Sequence, residues 1–210
     1  MESKHCKPAF DRADPERRMT VLQTGIDEFS KLGFENANIN VIAKKAGISI
    51  GLMYKYFETK EDLFILCLEE AISELHAVIE EVLQSDDKIL VRAEKLIRTI
   101  QKSSGQDSRY VKLYNEITKM SDEKKVRYYA DKIESISYEA YAGFLKRAKE
   151  EGDIREDMDE RMFAFFFVSL LMTLQFSYTC DYYRERFKVY CGDDIFDDDE
   201  KVVRELLKFL

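Results

Sequence analysis

Gly47-Ile48-Ser49-Ile50-Gly51-Leu52-Met53-Tyr54-Lys55-Tyr56-Phe57 is the stretch whose reading decides the fold. Gly47 gives the backbone freedom for a tight turn. Ser49 is placed to satisfy the free N–H groups that open the next helix, predicted over Ile50 to Phe57. Gly51 keeps the first turn of that helix thin enough to approach another backbone. Just upstream, Asn38 stands at the cap of a short helix over Ile39 to Ala46, which Gly47 ends. Two short helices joined through a glycine turn form the helix-turn-helix arrangement, whose second helix enters the DNA major groove. Ile42, Ala43, Ile48 and Met53 are spaced to lock the two helices together, which leaves Tyr54, Lys55 and Tyr56 outward. Tyrosines and a lysine on an outer face suit phosphate contacts, which position a protein on DNA without reading its sequence. Lys60 adds to this. A cation in the first turn of a helix opposes the macrodipole at a cost of roughly 0.3 to 1 kcal/mol, whereas a phosphate there is welcomed by dipole and lysine alike.

The flanking sequence reads as helix on both sides. Asp14-Pro15 opens a helix in which Met19, Leu22, Ile26 and Phe29 recur at i+3 and i+4 until Gly33 stops it. Residues 1–13, ahead of that cap, are expected to be a mobile tail. Thr59-Lys60-Glu61-Asp62 has the capping-box form and launches an amphipathic helix through Leu63, Cys67, Ala71 and Leu75. Further periodic stretches are separated near Ser85, Gly105 and Ser121, and Asp157 to Glu160 caps a strongly apolar helix. A final amphipathic stretch carries Val202, Leu206 and Leu210. Cap and period signals give about nine helices.

Composition narrows the class. The 210 residues are 45% hydrophobic and 35% charged, enough for a substantial core. Eight glycines and two prolines leave little to punctuate a many-stranded sheet, so an all-α fold is expected and sandwiches, barrels and Gly-rich nucleotide-binding folds are not. The formal net charge is −8, but it is unevenly spread: residues 1–60 hold 10 basic and 8 acidic residues, leaving −10 on the remainder. An N-terminal segment able to approach polyanions thus precedes a body that repels them. Cys6, Cys67, Cys180 and Cys191 form no CxxC pair, and with only two histidines no metal site or cofactor is expected. Without an apolar leader the expected location is the cytoplasm.

The residues from Gly47 to Phe57, with Lys60 and Leu63-Phe64 downstream and Phe29 and Gly33-Phe34 upstream, resemble the TetR/AcrR-type bacterial transcriptional regulators. The resemblance covers about residues 14–75. It implies a three-helix DNA-binding domain over 14–75, with the helix-turn-helix at about 38–57, and an effector-binding and dimerisation domain over 76–210. It also implies a homodimer on a near-palindromic double-stranded operator, and the chain is expected to be a repressor released by a small lipophilic effector. Carried over residue by residue, backbone contacts fall to Asn38, Asn40, Ser49, Tyr54, Tyr56 and Lys60, and base-edge contacts to Ile50, Gly51, Leu52 and Lys55. Members of the family often carry a basic or hydroxyl residue where this chain has Ile50 and Leu52. That shifts readout towards thymine methyls or DNA shape, and the alternative for both residues is plain helix packing. Packing under the turn is likewise the alternative for Tyr54.

The body beyond residue 85 is rich in aromatics, of which Tyr110, Tyr114, Tyr138, Tyr141, Phe144 and Phe166 are candidates for an apolar effector pocket, the alternative being ordinary core. Met162 to Cys180 is a run of 19 residues without a charge. Its readings are a membrane span, diluted by Ser169, Thr173, Gln175, Ser177 and Thr179, or a helix buried in a core or subunit interface, which is preferred. Ser169, Thr173 and Ser177, spaced by four, form a stripe of small residues for a partner helix, or else three hydroxyls bonded back to the preceding turn. By resemblance this helix and the last one, including Leu206, form the dimer interface. The acidic cluster from Asp193 to Glu200 lacks the spacing of a calcium loop and reads as a solvated loop with helix-opening charges. Redox sensing by Cys180 and Cys191 is a minor reading. Two other classes stand behind the regulator: a helical protein-interaction module with weakened DNA binding, and a small helical enzyme, for which no nucleophile-base pair or phosphate loop is visible.

Overall fold

The computed structural model describes residues 5–85, 87–106 and 109–209. Those residues form helices and connecting loops without a strand: α1 (Pro8–Asp11), α2 (Pro15–Asn36), α3 (Ile39–Lys45), α4 (Ile50–Tyr56), α5 (Lys60–Leu83), α6 (Ile89–Gln106), α7 (Arg109–Ile117), α8 (Glu123–Glu150), α9 (Glu160–Thr179), α10 (Asp181–Cys191) and α11 (Asp199–Leu206). The all-α expectation holds. The expected boundaries are set by the expected caps: Asp14 accepts from Glu16 and Arg17 N–H, Asp122 from Lys125 and Asp159 from Met162. At the head of α5 the capping box closes reciprocally, Thr59 N–H donating to Asp62 Oδ2 (2.9 Å) and Asp62 N–H to Thr59 Oγ1 (3.1 Å).

Two helices exceed the sequence expectation. The first lies in the supposed tail. Its mobility is not borne out for residues 5–13; residues 1–4 lie outside the described residues. Phe10 is 1% exposed, with its ring 5.2 Å from Tyr56 and 4.8 Å from Phe57, and Lys7 N–H donates to Tyr56 O at 2.8 Å. One apolar ring in a helix of four residues gives no periodicity, so the anchor was not legible. The second is α10. Cys180 adopts extended backbone (φ −109°, ψ 127°) and ends α9, after which α10 buries no residue fully. A helix without an apolar stripe leaves no period-3.6 signal.

The chain divides into two compact units, one running to Leu75 and including Lys112–Met120, the other formed by His76–Val111 and Ser121–Leu210. In the first, Val21, Leu22, Ile26 and Phe29 of α2 are buried, as are Ile42, Ala43, Met53, Phe57, Leu63, Phe64, Cys67 and Leu68. Gly25 matters there: a Cβ on it would stand 2.5 Å from Cys67 Sγ. Burial pushes the Cys67 thiol far above its usual range, so this cysteine is an inert core group.

In the second unit α9 packs against α6, α8 and α10. Ala164, Phe167, Leu171 and Leu174 of α9 join Leu96 and Ile97 of α6, Phe144 and Leu145 of α8, and Val202 and Val203 of α11 in one core. Among the described residues α9 is the one helix long and apolar enough to cross a membrane, but its inward face joins it to the core of the unit. Arg92, buried, lies over the Phe144 ring at 5.3 Å, and Arg147 donates to Leu83 O at 2.8 Å, so cations meet the C-terminal end of α5.

Candidate nucleic-acid interface

The turn between α3 and α4 is built as its sequence demands. Gly47 takes φ 72°, Gly47 N–H donates to Lys44 O (3.2 Å) and Ile48 N–H to Ala43 O (3.0 Å), the paired bonds that close a helix on a left-handed residue. Asn38 Oδ1 accepts from Asn40 N–H at 2.9 Å and Ser49 Oγ from Leu52 N–H at 3.1 Å. As an acceptor, the Ser49 hydroxyl keeps its own hydrogen free to donate outward. Ile42, Ala43 and Met53 are fully buried between the helices.

That packing orients α4. Ile50 is 49% and Tyr54 44% exposed, Gly51 and Lys55 are exposed, and Leu52 is half-buried. A Cβ on Gly51 would meet nothing within 4 Å, so the space before it is open. Ile50 and Tyr54 thus keep about half of their side-chain surface available outward, and Leu52 less. Lys44 at the end of α3 is also exposed, and its neighbour Lys45 is tied by a short ion pair to the buried carboxylate of Glu28. Lys44 is an addition to the residues expected from sequence, which showed the charge but not its exposure.

Two expected backbone contacts are corrected. Tyr56 is only 3% exposed and packs edge-on against Phe10 and Phe57, because α1 covers the face it was expected to show. Lys60 Nζ donates to the carbonyls of Phe34 (2.7 Å), Glu35 (3.0 Å) and Ala37 (3.2 Å), and lies 4.6 Å from the Phe34 ring centroid. An ammonium has three N–H donors, and all three are spent on the segment leading from α2 to α3. Its place in the first turn of α5 is offset by these carbonyls and no phosphate is needed.

The six pocket candidates do not gather. Tyr141 and Phe144 are buried against Phe167, with centroid distances of 5.9 and 6.3 Å. Tyr138 and Phe166 are exposed, and Tyr114 belongs to the first compact unit. Burial lifts the Tyr141 hydroxyl far above its usual range, keeping it neutral. The small-residue stripe resolves into back-bonded hydroxyls: Ser169 donates to Phe165 O (2.7 Å), and Ser177, itself buried, to Thr173 O (2.8 Å). Leu206 is half-buried on the core of its own unit, whereas Thr173 is exposed. Instead Met162, Phe165 and Phe166 of α9 and Tyr182, Val189 and Tyr190 of α10 are exposed apolar groups, more than half of each side chain facing outward. Among the described residues no three metal-ligating side chains converge.

Residues 21–67 match the bacterial regulatory proteins of the tetR family. The fatty acid metabolism regulator protein of Bacillus subtilis is 23% identical over 146 residues, covering 69% of this chain and 74% of that protein. The crystal structure of the B. subtilis transcriptional regulator FadR in complex with stearoyl-CoA superposes with a TM-score of 0.69 at 20% identity, over 90% of this chain and 96% of the other. That of AibR in complex with isovaleryl coenzyme A and operator DNA gives 0.64 at 16%, over 92% and 97%.

Proposed function

The chain belongs to the TetR family of bacterial transcriptional regulators, which bind DNA, and from that premise we propose that it is a cytoplasmic, homodimeric repressor whose operator affinity is lowered by an acyl-coenzyme A. The observation that carries the DNA role is the capped, rigidly packed α3–α4 pair presenting Ile50, Gly51, Tyr54 and Lys55 outward. Backbone contacts are assigned to Asn38, Asn40, Ser49, Tyr54 and Lys44, and base-edge contacts to Ile50, Gly51, Leu52 and Lys55. Ile50 offers only an apolar surface, suited to the methyl group of thymine. Two copies related by a twofold axis would place their α4 helices in successive major grooves about 34 Å apart, hence the near-palindromic operator.

The DNA-binding domain is taken as 14–75 and the effector and dimerisation domain as 76–210. Dimerisation is assigned to the exposed apolar groups of α9 and α10, foremost the neighbouring rings of Phe165 and Phe166, because large apolar groups left facing outward mark an interaction site. The effector class follows from the two coenzyme A complexes among the similar structures and from the aromatic interior of the second unit, where Tyr141 and Phe144 would flank an acyl chain. The role is binding rather than catalysis. Ligand release works through differential affinity: an acyl-coenzyme A that binds best to the conformation with mis-spaced α4 helices lowers operator affinity by that preference.

The test is titration of the purified protein against labelled DNA from just upstream of its own coding region, with unrelated DNA as competitor, followed by addition of stearoyl-CoA. Competition-resistant binding by a dimer, weakened by stearoyl-CoA and not by free coenzyme A, is the expected result. Binding that any DNA competes away equally would overturn the specific-regulator reading, and indifference to acyl-coenzyme A would overturn the effector.

A further inference from the structure

Residues 33–37, which lead from α2 into the first helix of the DNA-binding pair, are held from two sides. Gly33 breaks the helix with φ 74° and ψ 165°. The next amide, Phe34 N–H, donates to Glu116 Oε2 on α7 at 2.9 Å, and Lys119 pairs with the other oxygen of the same carboxylate. A Cβ on Gly33 would stand 2.9 Å from Glu116 Oε2, so the carboxylate sits directly against the bare backbone of the break. From the opposite side Lys60 takes the carbonyls of Phe34, Glu35 and Ala37. The Phe34 ring lies between Phe29 and Phe64, at 6.2 and 5.1 Å, and Ala37 is buried just before the Asn38 cap. α7 begins in the second compact unit, and its residues from Lys112 onward belong to the first.

We propose that Glu116 is a positioning residue for DNA binding: its carboxylate latches the Gly33–Phe34 break and thereby fixes the start of α3 and the α3–α4 pair behind it. The chemistry is that of a charge-assisted hydrogen bond to a backbone amide just past the break at Gly33, where the helical ladder of α2 is interrupted. The latch is polar and reversible. It borders an open cleft of about 430 Å³ lined by Lys31, Asn36, Lys112, Asn115 and Lys119, so water can replace the carboxylate once α7 shifts. The consequence for DNA binding rests on the regulator reading above; the latch itself does not.

Two variants of the full chain test this, Glu116→Ala and Glu116→Gln, the second retaining an acceptor oxygen for the Phe34 amide. Hydrogen–deuterium exchange without DNA is read first. Exchange at Phe34 and along α3 should rise about tenfold in Glu116→Ala, be largely restored in Glu116→Gln, and stay at the wild-type level along α9. Unchanged exchange at Phe34 and α3 would overturn the latch, as would an equal rise throughout the chain, which would mark Glu116 as a general stability residue. Affinity for the upstream DNA is read second. Glu116→Ala should weaken it about tenfold and Glu116→Gln by less than about threefold. Loosened α3 with unchanged affinity would overturn the positioning role. A wild-type protein that binds no DNA specifically would refute the regulator reading, while the exchange result would still decide the latch.

Discussion

Replacing Lys60 by methionine keeps the four-atom stem that lies along Phe34 and removes only the ammonium. Three carbonyls then lose their donor. Two of these bonds, to Phe34 O and Ala37 O, are partly buried, and the third, to Glu35 O, is exposed. A hydrogen bond to a charged group is worth about 1.5 to 3 kcal/mol, but the exposed carbonyl rehydrates and three bonds share one charge, so the sum is far below threefold. The cation over the Phe34 ring adds roughly 0.5 to 1 kcal/mol. A loss of about 2 kcal/mol is expected, which for a unit of this size lowers the melting temperature by about 10 °C. The assay is a thermal melt paired with DNA affinity measured from 50 to 300 mM salt. A lysine that contacts phosphate contributes close to one unit to the slope of log affinity against log salt. Lys60→Met should therefore destabilise the protein and leave the slope unchanged, whereas Lys44→Met, at an exposed lysine assigned to the DNA backbone, should lower the slope and leave the melt unchanged. A Lys60→Met protein with wild-type stability and a slope smaller by one would refute the reasoning and return Lys60 to the phosphate.

Other substitutions separate packing from contact. Tyr56→Ala and Phe10→Ala each open the same aromatic cluster and should cost about 3 kcal/mol in denaturant unfolding, while Tyr54→Ala should cost little and reduce DNA affinity. Gly25→Ala drives a methyl group into Cys67 and should destabilise by about 1 to 3 kcal/mol; the double variant with Cys67→Ala should recover most of that, and additive losses would disprove the clash. Phe166→Asp should convert the dimer to monomers by sedimentation without altering the helical content of each chain. In the second unit the Arg98 guanidinium, bonded to Glu200 at 2.8 Å, holds that carboxyl below its usual range. A depressed acid stabilises above its unfolded value and the contribution is lost as pH falls through the folded one. Glu200→Gln should thus shift the melt slightly at pH 7 and progressively less as the pH falls below the usual carboxylate range, and a shift that grows on acidification would contradict the pairing.

The α3–α4 segment was the most legible part of the chain because its signals are local. Asn38, Gly47 and Ser49 each act within four residues of themselves, on a cap or a turn, and the structure uses them so. Tyr56 and Lys60 were misread because their partners are remote in sequence. Phe10 lies 46 positions before Tyr56, and the carbonyls that hold Lys60 lie more than 20 before it. Side chains that end in a polar group on a long stem can face solvent or turn back to the protein, and one sequence does not distinguish the two. The same limit hid α10, whose outward Tyr182, Val189 and Tyr190 break the rule that apolar groups mark the inward face. Exposed apolar groups of this kind mark an interaction site, which helical periodicity by itself does not reveal.

The arrangement of charge explains how a protein of net charge −8 can be selective on DNA. Of the four lysines from Asn38 to Lys60, Lys45 is paired with the Glu28 carboxylate and Lys60 has its donors taken by three carbonyls, leaving Lys44 and Lys55 as outward cations. So few phosphate contacts per subunit give weak non-specific binding with a shallow salt dependence, and the acidic body repels DNA that is not gripped by α4. Affinity then has to come from engaging two half-sites at once, where the second contact is made at the high effective concentration set by the dimer. It follows that the apolar groups of α9 and α10, the spacing of the two α4 helices, and the latch on Phe34 all act on one quantity: the fraction of molecules in which both recognition helices fit together.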